Sequence, residues 1–212
     1  MTPSFQFDKL QGRAIVAAIT ELQHESVVRW HAGPLEIRGE GLLGVVCEQH
    51  QYNFLLWHQE DRARSPHASD AEIAAVKRAI DRYNQQRNDF LEAIDRALAA
   101  ALEHLGIMTA SDVPMNTESP GSAIDRLSIM ALRMYHLDEQ LQRQDVGDDH
   151  RRSVSQKKAI CEQQHRDLSL SLASLLDDLK AGRKRHQVYH PLKMYNDPKL
   201  NPFLYAPDSP RS

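Results

Sequence analysis

The stretch Ser69–Gly106, SDAEIAAVKRAIDRYNQQRNDFLEAIDRALAAALEHLG, decides the fold. Ser69 or Asp70 can cap a helix, Glu72 and Ile73 make a normal first turn, and Gly106 is a normal stop. Between them Ile73, Val76, Ile80, Tyr83, Phe90, Ile94, Leu98 and Leu102 recur at helical spacing. The pattern predicts one long amphipathic helix from about Ala71 to Leu105.

Similar patterns lie on both sides. Towards the N-terminus, Ile15, Ile19, Leu22, Ser26 and Trp30 share a face of a helix from about Phe7 to Ala32, ended by Gly33-Pro34. A second helix runs from about Leu42 to Arg64 and is closed by Pro66. Beyond the long helix, a loop from Ile107 to Glu118 leads to Ser119-Pro120, with proline at a first helical position. That fourth helix reaches about Gln144. A fifth runs from about Asp149 to Ala181 and stops at Gly182. No segment alternates as a strand does. The chain is expected to be all-α, a single-domain bundle of about five helices over residues 1–182. Residues 183–212 form an extended C-terminal tail. Its aromatic content predicts packing on the bundle to about residue 206, with disorder beyond.

The 212 residues suffice for one domain with a core, and a formal charge of −3 gives no pull toward nucleic acid or acidic lipid. The basic cluster Arg183-Lys184-Arg185-His186 suits a helix C-terminus, so nucleic acid is not an expected partner. Two cysteines make no disulfide framework, no secretory signal opens the chain, and no apolar run approaches membrane-spanning length. A cytoplasmic location is the expectation.

The second helix breaks the simple bundle pattern. Leu42, Val45, Val46, Leu56 and Trp57 set its buried sector, but Gln49, Asn53, Glu60 and Arg64 fall inside it, with His50 and Asp61 on its edge. In the long helix Arg87 sits mid-face, and Lys77, Asn84, Asn88 and Asp95 line one border. Burying an unpartnered amide costs about 2–7 kcal/mol, and a charge more. Such groups therefore pair with one another, meet water or meet a ligand. Two readings stand side by side: a salt-bridge network fixing helix register, and a polar cleft between the second and third helices. In the second reading Glu60, Asp61, Asp95 and His58 are the acid–base candidates. Asn53, Trp57, Arg64, Asn84, Arg87 and Asn88 line the cleft for a small anionic ligand. The helix start at Ser119, Gly121 and Ser122, with the free backbone N–H groups of Gly121, Ser122 and Ala123, offers a place for a phosphate or carboxylate. Asp125, Ser128 and Asp138 continue a partly polar face.

No metal site is assigned. Cys47 and His50, with Cys161 and His165, make a Cys2His2 set if the second and fifth helices meet, so zinc or another divalent metal stays open as a cofactor. Glu162-x-x-His165 matches half of a di-iron pair, and the other half is missing. No nucleophile elbow, Walker loop or dinucleotide fingerprint is present.

Four stretches resemble the DUF4254 family of bacterial proteins. They are NFLLWHQEDRAR (Asn53–Arg64), NQQRND from Asn84 through to Asp95, ESPGSAIDRLS (Glu118–Ser128) and KMYNDP (Lys193–Pro198). Ser119 and Ala123 stand where threonine and isoleucine are usual. Cys47, Cys161 and His165 lie outside these motifs. The resemblance implies a small helical protein encoded beside envelope glycosyltransferases, and so a link to lipopolysaccharide or other glycan assembly. Its motifs fall on the residues that break the helical pattern, which favours the cleft. A non-enzymatic partner, a homodimer or a glycosyltransferase subunit, is the competing expectation.

Overall fold

The computed structural model describes residues 7, 9–107, 110–189 and 197–205. Five long helices form an all-α bundle: α1 (Gly12–Ala32), α2 (Leu42–Ala63), α3 (Asp70–His104), α4 (Pro120–Gln142) and α5 (Asp148–Lys180). A single turn, α6 (Pro202–Tyr205), follows in the tail. No helix of the described residues is long and apolar enough to cross a membrane.

The expected boundaries hold to within two residues except at the first helix. It starts at Gly12, not near Phe7. The reason is packing. A Cβ on Gly12 would sit 2.1 Å from the Ala173 carbonyl oxygen, so α1 begins where its backbone meets α5. The Gly12 N–H donates to Asp177 Oδ1 at 2.7 Å. Phe7 still reaches the core, ahead of the helix.

The start of α3 is a complete capping box: Ser69 Oγ accepts from the Glu72 N–H, and Glu72 Oε2 accepts from the Ser69 N–H. From there α3 pairs along its length with α2, while α4 pairs with α5. The largest core cluster joins Ile15 and Ile19 of α1, Ile94 and Leu98 of α3, Ile124 and Leu127 of α4, and Leu172 and Leu176 of α5. A second cluster gathers Val27, Trp30, Cys47, Phe54, Ala131 and Leu132 where α1, α2 and α4 meet.

Residues 184–186 of the tail bond to the α3–α4 loop and to α3. The Arg185 N–H donates to the Pro114 carbonyl and its Nε to the Val113 carbonyl. Lys184 Nζ donates to Asn116 Oδ1, and His186 Nε2 donates to the Asp95 carbonyl at 2.9 Å. The basic cluster is thus tied to the α3–α4 loop and the flank of α3. The motif residues Lys193–Asn196 and the expected disorder after 206 lie outside the described residues.

Candidate functional site between α2, α3 and α4

The misplaced polar residues converge on Asp125. It sits on the inner face of α4 and is buried. Its Oδ1 accepts from Gln49 Nε2 at 2.5 Å, Asn53 Nδ2 at 3.0 Å and Arg87 Nε at 2.7 Å. Its Oδ2 accepts from Arg87 Nη2. The guanidinium grips the carboxylate through two nitrogens, the geometry that gives strong charge-assisted pairs. The Asp125 carboxylate holds Arg87 above the ordinary arginine range, against the opposing effect of burial.

The network continues with a fixed direction. His50 Nε2 meets the Gln23 carbonyl at 3.0 Å, and a carbonyl only accepts, so Nε2 carries the proton. His50 Nδ1 then accepts from the Ser128 hydroxyl at 2.6 Å. Ser128 Oγ in turn accepts from Asn53 Nδ2 at 2.8 Å. Gln49, His50 and Asn53 on α2 are thereby keyed to α4. His50, expected on the edge of the buried sector, lies wholly inside it.

Burial lowers His50 to a pKa of about 3, against the lesser opposing pull of the Gln23 carbonyl. An unfolded histidine titrates near 6.5. Between those values the unfolded chain binds the extra proton, so stability rises with pH across the window. The contribution is complete above about pH 6.5 and drains away as pH falls toward 3. We expect the urea midpoint to drop between pH 7 and pH 4, and His50→Gln to show a flatter profile. Equal slopes for the two proteins would refute the assignment.

Above this floor opens a cleft of about 360 Å³, lined by Asn53, Leu56, Trp57, Glu60, Asp61, Arg64, Asn84, Arg87, Ile129 and Leu132. Seven of the predicted site residues line it: Asn53, Trp57, Glu60, Asp61, Arg64, Asn84 and Arg87. Asn53 and the inner edge of Arg87 belong to the floor. Glu60 and Arg64, expected in the buried sector, stand instead on the cleft side of α2, while Leu56 and Ala63 of the same stretch pack with Val76 and Ile80 of α3. Arg64 Nη1 donates to Glu60 Oε2 at 2.6 Å, and the Arg64 side chain is 70% exposed. Lys77 pairs with Asp81 in solvent, away from the cleft. Asn88 is half-buried on α3, one residue past Arg87, and does not line the cleft. A wider depression of about 540 Å³ between α4 and α5 is bordered by the exposed Arg126, Arg133, Gln164 and Asp167, and no part of the Asp125 network lines it.

Two sets of site residues are corrected. Asp95 is not a free acid. It is buried, and its Oδ1 accepts from the Gly121 N–H at 2.7 Å. It caps α4 with a built-in carboxylate, which the helix dipole favours. The N–H groups proposed for an external anion are therefore spoken for. Gly121 binds Asp95, Ser122 binds Ser119 Oγ and Ala123 binds the Ser119 carbonyl. Any Cβ on residue 121 would stand 2.8 Å from the Leu91 carbonyl oxygen and 2.9 Å from the Asp95 carboxyl carbon, so glycine lets α4 begin against α3. His58 is the second correction, since it does not line the cleft. Asp61 is exposed, and the His58 ring lies against His31, His136 and Phe54.

The Cys2His2 set does not assemble. Cys47 Sγ accepts from the Arg38 N–H at 3.4 Å, and both His50 nitrogens are used. Burial pushes the Cys161 thiol up and His165 down on α5.

Comparison with known proteins agrees with the motifs. The model of the family described as protein of unknown function (DUF4254) matches residues 43–188, most of the chain. The chain belongs to the DUF4254 family. The match takes in α2, α3, α4 and α5, the helices that build the floor, the cleft and the capping contacts. No curated protein and no solved structure matches it. In this DUF4254 protein the motifs NFLLWHQEDRAR and ESPGSAIDRLS face each other across the network, through Asn53 on one side and Asp125 and Ser128 on the other.

Proposed function

We propose that this DUF4254 protein binds a small phosphorylated or carboxylated sugar-like ligand in the cleft between α2, α3 and α4. One observation carries the reading: the cleft joins an indole wall, two amides, two carboxylates and two guanidinium groups around a volume suited to a monosaccharide derivative. Trp57 offers apolar surface to a sugar ring. Asn84, Glu60 and Asp61 offer hydroxyl partners. Arg64, paired with Glu60, supplies an exposed cation at the mouth. Arg87, a quarter exposed, keeps Nη1 outside its two bonds to Asp125. Glu60 and Asp61 are the carboxylates placed for acid–base work if the ligand is also a substrate. The link of the family to envelope glycan or lipopolysaccharide assembly supplies the setting.

The test is calorimetric titration of the purified protein with hexose 1-phosphates, hexuronates and nucleoside diphosphate hexoses. We expect at least one class to bind, and Arg64→Ala and Trp57→Ala to weaken it at least tenfold without loss of helicity. Absence of binding across the panel, or binding unchanged by both substitutions, would overturn the reading.

A second reading, a helical partner protein such as a homodimer or glycosyltransferase subunit, is favoured by the pairing of Asn53 and Arg87 inside the fold. Its exposed apolar residues are spread over α1 (Val28), α3 (Ile73) and α5 (Ile160 and Leu170). Light scattering distinguishes it: a monomer at micromolar concentration counts against the homodimer.

A further inference from the structure

Behind Trp57, three histidines from three helices converge. They are His31 at the end of α1, His58 on α2 and His136 on α4. One ligand atom from each lies within 4.8 Å of the others, the one such group of three or more possible metal ligands among the described residues. The rings do not stack on each other. Their planes meet at 72°, 79° and 80°, with centroids 5.1–5.7 Å apart.

The hydrogen bonds fix the tautomers of two of them. His31 Nδ1 meets the Val27 carbonyl at 2.8 Å, so Nδ1 holds the proton and Nε2 presents a lone pair. His136 Nδ1 meets Glu139 Oε2 at 2.6 Å, which assigns the same tautomer. Both Nε2 atoms are buried and have no hydrogen-bond partner. Metal-binding histidines show this arrangement: one nitrogen held by a carbonyl or carboxylate, the other left for the ion. Aromatic walls hold the rings in place. Tyr135 stacks on His31 at 4.0 Å, Trp57 on His136 at 4.8 Å, and Phe54 packs edge-on against His31 and His58.

We infer that His31, His58 and His136 form a binding site for a divalent transition-metal ion of the zinc class. Three neutral imidazoles with no carboxylate among them suit zinc, cobalt or nickel, and not magnesium or calcium. Zinc–nitrogen bonds of about 2.0–2.1 Å in a tetrahedron set the nitrogens roughly 3.3 Å apart. From the 4.8 Å limit, the nitrogens close by up to about 1.5 Å when an ion binds. A three-histidine tetrahedral site leaves a fourth position for water or a ligand atom. Glu139 acts as a positioning residue, fixing the His136 tautomer and balancing charge. The inference does not depend on the sugar-binding reading, since none of the three histidines lines that cleft.

The test uses the full, untagged chain, stripped with chelator and titrated with Zn²⁺ or Co²⁺. One equivalent is expected to bind, raise the melting temperature and give a Co²⁺ spectrum of four-coordinate type. His58→Gln and His136→Gln are expected to weaken binding at least 100-fold, Glu139→Gln roughly 10–100-fold, and His165→Gln not at all. In the wild-type protein the imidazole NMR signals of His31, His58 and His136 should shift with Zn²⁺ while His50 and His165 stay. That measurement stands even if a variant fails to fold. No stoichiometric binding, or Zn²⁺ shifts confined to other histidines, would overturn the site.

Discussion

Asp125→Ala is expected to remove about 3–5 kcal/mol of folding stability, a large share of what a domain of this size possesses. Asp125 accepts hydrogen bonds from Gln49 and Asn53 and two from Arg87. Without it, two buried amide donors lose a partner, at roughly 1–3 kcal/mol each, and a half-buried guanidinium loses its counter-charge. Arg87→Met should be costly for the converse reason, since it strands a carboxylate that is almost wholly buried. The double variant Arg87→Met/Asp125→Leu should cost clearly less than the sum of Arg87→Met and Asp125→Leu, because each single change already breaks the shared pair. Urea unfolding followed by circular dichroism measures all four. Single losses below about 1 kcal/mol, or strict additivity, would show that the network is incidental.

The second large effect is expected at Gly12. Gly12→Ala places a methyl group 2.1 Å from the Ala173 carbonyl oxygen, and the obstacle is backbone, not a side chain that can swing away. The helices α1 and α5 must part, which also stretches the bond from the Gly12 N–H to Asp177. Overpacking costs roughly 1–3 kcal/mol and a hydrogen bond to a charged group about 1.5–3, so a loss of about 3 kcal/mol or more is expected. Gly33→Ala is the control. Its backbone is extended, at φ −167°, and the nearest obstacle is 3.8 Å away. It should be neutral or slightly stabilising. Thermal melts of the two variants settle the comparison, and equal melting temperatures would contradict the packing argument.

Helix number, order and ends were legible because Gly, Pro and capping residues punctuate regular apolar spacing. Asn53 and Arg87 were legible as misfits, since a polar residue inside an apolar stripe demands a partner. Their partner was not. Asp125 lies 72 residues from Asn53 and 38 from Arg87, and on its own helix it reads as one more polar position. Glu60 and Arg64 misled because the wheel drew one buried stripe along α2, whereas at its C-terminal end the core turns to α3 through Leu56 and Ala63. Asp95 misled because a buried carboxylate looks the same in sequence whether it serves a ligand or a neighbouring helix. His31 and His136 were missed because their common centre is built by three helices. The spacing of His136 and Glu139 was the one local signal present.

The capping carboxylate of Asp95 has a mechanical consequence. A plate held by one pin can swivel, and held by two it cannot. α3 holds α4 at two points, Asp95 on Gly121 and Arg87 on Asp125. Eight residues of α3, about 12 Å of helix, separate these anchors. α4 can therefore neither slide nor roll along α3 without breaking an anchor. The cleft accordingly has a stiff back, with α4 locked to α3 at both anchors.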